Sequence, residues 1–153
     1  MEIGHPLPAL QLQNQENTLV SLADFNGKKL AIYFYPKDDT PGCTAQACSI
    51  RDGVEPLLEA GITVIGISAD TVSSHLKFIQ KHHLNFTLLS DPEKLAITQF
   101  GVWGPKKFMG KTYDGIHRKT FLFNEEGSLV HVIEKPNTKN HSEEIINFFN
   151  KAE

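Results

Sequence analysis

Cys43 and Cys48 are the two cysteines of the chain, and they lie five residues apart. They sit in the stretch Pro36-Lys37-Asp38-Asp39-Thr40-Pro41-Gly42-Cys43-Thr44-Ala45-Gln46-Ala47-Cys48. A lone cysteine in a globular domain is most often a small buried hydrophobe. This setting points instead to a nucleophile. An apolar run at residues 29–35 leads into a loop, and the loop into a helical stretch, so that Cys43 falls at or just inside a helix start. Helix N-termini carry unpaired N–H groups and a partial positive charge. Both favour a negative sulfur. Gly42 allows the backbone to approach a ligand closely, and Pro41 stiffens the chain before it. Two cysteines are too few for a disulfide-built secreted scaffold. A structural zinc site wants four ligands.

A thiolate by itself does not make a fast nucleophile. For thiols in general, lowering the pKa from ~8.5 to ~6 raises the thiolate fraction at about pH 7 by roughly 30-fold. Nucleophilicity falls along a Brønsted slope of ~0.4–0.5, which returns roughly tenfold of that gain. An efficient site must therefore also stabilise charge on the leaving group. The candidates are the Thr40 hydroxyl, the N–H groups near Gly42 and Cys43, and an arginine from elsewhere in the chain.

The elements around this stretch must hold it in place. Residues 10–12 and 19–22 flank a polar segment and predict a short antiparallel hairpin. Residues 29–35 form a near-continuous apolar and aromatic run that suits a central strand buried on both faces, and Pro36 ends it. Residues 43–52 predict a helix, with residues 54–60 as its continuation and Gly61 as a stop. Residues 62–67 predict a second buried strand. Val72, Leu76, Ile79 and His83 recur at helical spacing. Residues 86–89 predict a strand, 94–100 a short helix, and 119–123 and 129–133 two strands joined by the turn Asn124-Glu125-Glu126-Gly127. Residues 142–151 close the chain as an amphipathic helix, with Asn140 and Glu143 resembling a capping box. The order predicts an α/β fold in which helices flank a mixed central sheet. A thioredoxin-like core fits it, as do other small α/β folds.

Composition narrows the function classes. The chain has 153 residues, the size of one domain with one core, and residues 1–153 are expected to form a single domain. Hydrophobic residues make up 40% and charged residues 22%, which argues against disorder. A net charge of -3 speaks against a nucleic-acid partner, which needs a basic face. No secretory signal and no run of ~20 apolar residues is visible, so the expectation is a cytoplasmic protein with no membrane span.

Pro36-x-x-x-Thr40-x-x-Cys43 resembles the peroxiredoxin active-site motif. Cys48 resembles the resolving position of the atypical two-cysteine subfamily of bacterioferritin comigratory protein, or peroxiredoxin Q. The resemblance continues in Gly101-Val102-Trp103-Gly104, in Gly110-Lys111-x-Tyr113-x-Gly115-Ile116-x-Arg118, and in Thr120-Phe121-Leu122, and covers nearly the whole chain. It implies a thioredoxin-like fold and a thiol peroxidase for hydrogen peroxide and organic hydroperoxides. Cys43 would be the peroxidatic cysteine and Cys48 the resolving one, closing an intramolecular disulfide. Thr40 would hydrogen-bond peroxide and sulfur, and Arg118 would hold the thiolate and polarise the O–O bond. Pro36 would shield the pocket from water, with Gly42 lining it, and Gln46 would orient Arg118. No metal, haem or flavin is required. Thioredoxin or a similar dithiol is the implied reductant, and a monomer the implied state.

Without the resemblance, Arg118 is an edge charge in solvent, Thr40 a residue at a helix start, and Trp103 a packing side chain. His82 and His83 would meet helix carbonyls, and Asp38 and Asp39 would be solvated. Two other functions use the same features. A thiol–disulfide oxidoreductase normally carries Cys-x-x-Cys, whereas four residues separate this pair. A redox-sensing or chaperone module would consume peroxide stoichiometrically, without turnover.

Overall fold

The strand at residues 29–34 shows how the sequence builds two cores at once. Side chains alternate across a strand. Leu30, Ile32 and Phe34 therefore enter one apolar cluster, with Phe100, Phe121 and Phe123. Ala31 and Tyr33, followed by Tyr35, enter the other, with Ala47, Ile50, Leu57 and Phe78. A strand covered on both faces needs no polar alternation, which is why this run is apolar and aromatic throughout.

The computed structural model describes residues 1–152. In chain order the elements are β1 (Gln11–Asn14), β2 (Leu19–Ser21), a 3-10 turn (Leu22–Phe25), β3 (Lys29–Phe34), α1 (Pro41–Asp52), α2 (Val54–Glu59), β4 (Ile62–Ser68) and α3 (Val72–His82). There follow β5 (Thr87–Ser90), α4 (Leu95–Gln99), β6 (Trp103–Phe108), β7 (Lys111–Ile116), β8 (Lys119–Phe123), β9 (Leu129–Ile133) and α5 (His141–Ala152). Seven strands form one mixed sheet in the order β2-β1-β5-β4-β3-β8-β9. β3, β4 and β5 run parallel, and the remaining neighbours pair antiparallel. Parallel strands need long crossovers. The chain from β3 to β4 supplies α1 and α2, and that from β4 to β5 supplies α3. The fold is the mixed α/β sheet that the element order predicts.

Several elements differ from the sequence reading. α1 begins at Pro41, two residues earlier than expected, because proline at the first helical position gives up only an N–H that has no helical partner. α1 and α2 are separate helices, divided at Gly53. α3 buries His75 and Phe78 and leaves Leu76 exposed, so its inward face is not the one the aliphatic spacing suggests. Asn140 meets Glu143 side chain to side chain, at 3.0 Å. The hairpin β6–β7 was not expected at all. Its large apolar side chains Phe108, Met109 and Tyr113 are exposed and only Ile116 is buried, so no apolar alternation marks it in the sequence. Its turn is Met109-Gly110, both with positive φ, a two-residue hairpin turn without the usual Asn-Gly.

Candidate active site

The loop after β3 ends at Thr40, whose extended backbone (φ -93°, ψ 156°) opens α1. Cys43 then lies in the first helical turn and is buried, 2% exposed. Cys48 lies further along the same helix and is half-buried, and both thiols are free. Arg118 arrives from the link between β7 and β8. Its Nη2 donates to Cys43 Sγ at 3.3 Å and its Nη1 donates to Gln46 Oε1 at 2.7 Å. Gln46 is buried one helical turn beyond Cys43, on the same face of α1. The planar guanidinium thus spans the sulfur and the side chain that aims it, a geometry lysine cannot reproduce. Gly42 eases the approach: a Cβ there would lie 3.2 Å from Arg118 Nη2, a tight contact to which the guanidinium would have to yield.

Thr40 Oγ1 donates to the Lys37 carbonyl at 2.9 Å. That bond braces the loop and leaves the hydroxyl lone pairs to accept. No bond from this hydroxyl to Cys43 is present among the described residues. Pro36, half-buried, lies two residues past the end of β3. The site therefore brings Thr40, Gly42, Cys43, Gln46 and Arg118 together, while Cys48 stays apart from the sulfur it would join.

Asp38 was expected in solvent and is instead buried. The reason is a full set of partners. Tyr35 Oη, Ser74 Oγ and His75 Nδ1 meet its carboxylate at 2.5, 2.8 and 2.7 Å. Its own N–H donates to Asp70 at 2.8 Å, and His75 Nε2 lies 3.0 Å from the Leu89 carbonyl. Buried polar groups are tolerated when so satisfied. Asp39, exposed, pairs with Lys81 and His82, whose hydrogen bonds hold its carboxyl below the usual range. The loop before Cys43 is thus tied to α3 at two successive residues. Asp38, Asp70 and His75 also bring one possible metal-ligand atom each within 4.8 Å of one another. The hydrogen bonds just described account for those atoms.

Sequence reasoning missed a second cation. Lys106 donates from Nζ to the Ile116 carbonyl at 2.8 Å. Burial, then the Arg118 charge, push its ammonium below the ordinary range, while the Cys43 sulfur acts in the opposite sense. Lys106 lies on β6, in the hairpin that has no sequence signature, so nothing in the pattern marks it out.

A free thiol at a helix start, with an arginine aimed at it by a glutamine, is the arrangement that comparison with known proteins tests. The AhpC/TSA family pattern matches residues 3–132. The chain is 53% identical over 148 residues to a putative Bcp peroxiredoxin of Haemophilus influenzae, spanning 97% of this chain and 96% of that protein. The chain belongs to the AhpC/TSA family, among the Bcp peroxiredoxins. It is 47% identical to peroxiredoxin Bcp of Escherichia coli, over 97% of this chain and 95% of the relative. A structure of Xanthomonas campestris bacterioferritin comigratory protein, described for its alkyl peroxide reduction activity, superposes with a TM-score of 0.87. The two share 32% identity and cover 96% and 98% of their respective chains. A Xylella fastidiosa PrxQ variant gives a TM-score of 0.92 at 30% identity, covering 99% and 96%. The sheet and its helices are accordingly those of thioredoxin-fold peroxiredoxins. The activity is thiol-dependent peroxide reduction, with a peroxide as substrate and a thiol as reductant.

Proposed function

We propose that Cys43 is the atom of attack and Cys48 the resolving thiol of this peroxidase, acting on hydrogen peroxide and organic hydroperoxides. The observation that carries the reading is the 3.3 Å contact from Arg118 Nη2 to Cys43 Sγ at the start of α1. The helix N-terminus and the guanidinium both favour negative sulfur there. Cys43 thiolate attacks one peroxide oxygen, the S–O bond forms, and the O–O bond breaks. The other oxygen leaves as hydroxide or alkoxide and takes up a proton. The second nitrogen of Arg118 is held by Gln46, so the fork stays in place as charge moves from sulfur to the leaving oxygen. Thr40 accepts from the peroxide O–H, Pro36 keeps water from the sulfur, and Gly42 lets the substrate and Arg118 share the helix start.

The product is a Cys43 sulfenic acid. Cys48 then condenses with it to a disulfide with loss of water, and thioredoxin or a similar dithiol returns both thiols. Residues 1–153 act as one catalytic domain. The monomer suffices, because both cysteines belong to one helix, and a cytoplasmic setting suits a site that must be returned to the thiol form. No helix of the described residues is long and apolar enough to cross a membrane.

Disulfide formation demands a change of shape. In an α-helix, residues five apart have Cα atoms roughly 8–9 Å apart and point about 140° away from each other. A disulfide needs Cα atoms closer than ~7 Å and converging Cβ vectors. α1 holds both cysteines in one helix, so its first turns must unwind on oxidation. The test combines peroxide turnover driven by a thioredoxin system with mass analysis of the oxidised chain and amide hydrogen exchange. Protection of residues 44–52 should fall in the disulfide form, with little change in β4. Equal protection in both forms, with the disulfide confirmed by mass, would falsify the unwinding.

A further inference from the structure

The face of the sheet beneath α1 carries a polar group with nothing to bind. Tyr33 is 1% exposed, and its hydroxyl has no hydrogen-bond partner among the described residues. Buried tyrosine hydroxyls normally find one. The ring is also seated deliberately. Tyr33 pairs in register with Gly66 of β4, and a Cβ at Gly66 would lie 2.7 Å from Tyr33 Cζ. Glycine inside a buried strand weakens it and marks a close approach. Here it is the phenol end of Tyr33 that approaches. Tyr35 stacks on the ring at 5.4 Å between centroids, and Phe86 and His141 flank it at 6.2 Å. The hydroxyl therefore cannot swing out to water.

Its surroundings are those of the redox chemistry. Tyr33 shares a core with Cys43, Ala47 and Ile50 of α1. Burial first, then the charge on Cys43, with smaller contributions that include Cys48, push the phenol well above its ordinary value. The hydroxyl therefore keeps its proton. The Gln46 amide Nε2, from the same helix, is buried and unpartnered as well. An interaction that is absent from the resting helix and made later in the cycle assists the later step alone.

We propose that the Tyr33 hydroxyl is a hydrogen-bond donor for disulfide formation, serving the oxygen of the Cys43 sulfenic acid as α1 unwinds and Cys48 approaches. The inference rests on the Cys43–Cys48 disulfide proposed above. In that step Cys48 thiolate attacks Cys43 sulfur, the S–S bond forms and the S–O bond breaks. The oxygen leaves as hydroxide and takes a proton from water. Cys48 sulfur is oxidised as Cys43 sulfur is reduced, so no outside electron is needed. Tyr33 donates to the departing oxygen and retains its own proton.

The experiment compares wild type with Tyr33→Phe in rapid mixing, reading Cys43 oxidation and disulfide closure separately. Oxidation should keep its second-order rate. Closure should slow by roughly 10–100-fold, the effect of losing one hydrogen bond to a developing anion, and sulfinic acid should build up at lower peroxide. Equal closure rates in the two proteins overturn the inference. It is also overturned if hydrogen exchange shows α1 of reduced Tyr33→Phe opening less often by the same factor, because the hydroxyl then acts on helix stability. Should Tyr33→Phe not fold, 3-fluorotyrosine at position 33 keeps ring and hydroxyl but makes a stronger donor. Its closure should be faster, and an unchanged rate counts against the donor. If wild type forms no Cys43–Cys48 disulfide, the parent reading fails first.

Discussion

The two faces of the central sheet have different chemistry although the same strand, β3, feeds both. One face is hydrocarbon. Phe100 packs against Phe34 and Phe121 at 5.0 Å and against Phe123 at 6.2 Å, among leucine and isoleucine. The other face, under α1, α3 and α5, buries Cys43, Gln46, Tyr33, Tyr35, His75, Thr120 and His141. Polar atoms cost free energy to bury unless paired. Most here are paired: Asp38 with His75, Thr120 with His141, Gln46 Oε1 with Arg118. The difference teaches where each job is done. The hydrocarbon face supplies stability through shape, and the polar face holds the side chains around Cys43 in fixed orientations.

The largest effect expected from this division is on turnover. Cys43→Ser should abolish thioredoxin-coupled peroxide consumption while the chain still melts cooperatively near the wild-type temperature. A variant rate comparable with wild type would remove the chemistry from this face. Arg118→Ala should slow Cys43 oxidation by roughly 10–1000-fold, the scale of losing one electrostatic stabiliser. Arg118→Lys should recover only part of it, since the fork to Cys43 and Gln46 is lost. An unchanged pre-steady-state rate in Arg118→Ala would show that the 3.3 Å contact has no catalytic role.

On the hydrocarbon face the expected loss is of stability. Phe100→Ala should cost about 3–5 kcal/mol in urea unfolding, with peroxide turnover per folded molecule preserved. A fall in the oxidation rate as large as that of Arg118→Ala would mean that the two faces are not separate in function.

The smallest effect sharpens the comparison by pH. Burial depresses His141, the Arg118 charge adds to this, and the Glu144 partner opposes both. The folded state therefore favours the neutral ring, whereas the unfolded chain takes a proton near pH ~6.5. The contribution of His141 to stability is complete above that pH. It declines as pH falls from there through the lower folded-state value. His141→Gln should flatten this part of the curve of melting temperature against pH. An identical acid limb in both proteins would show that other groups govern it.

The sequence alone determined the order of the elements that have a buried face, the two buried strands β3 and β4, and the placing of Cys43 at a helix start, because these depend on periodicity, on breakers and on a helix following a strand. The family resemblance added Arg118, which looks like any edge charge when read locally. Tertiary structure decided the rest. Asp38 and Asp39 look alike in the sequence, yet one is buried and the other exposed, since only α3 packed against the loop offers His75 and Ser74 to the first. Leu76 fits the apolar spacing but faces out, since that same network draws His75 inward. The hairpin β6–β7 buries fully only Ile116, at its end, and so leaves no apolar alternation to read. The seat of Tyr33 on Gly66 depends on strand register, a relation between residues 33 apart that no local pattern of side chains encodes.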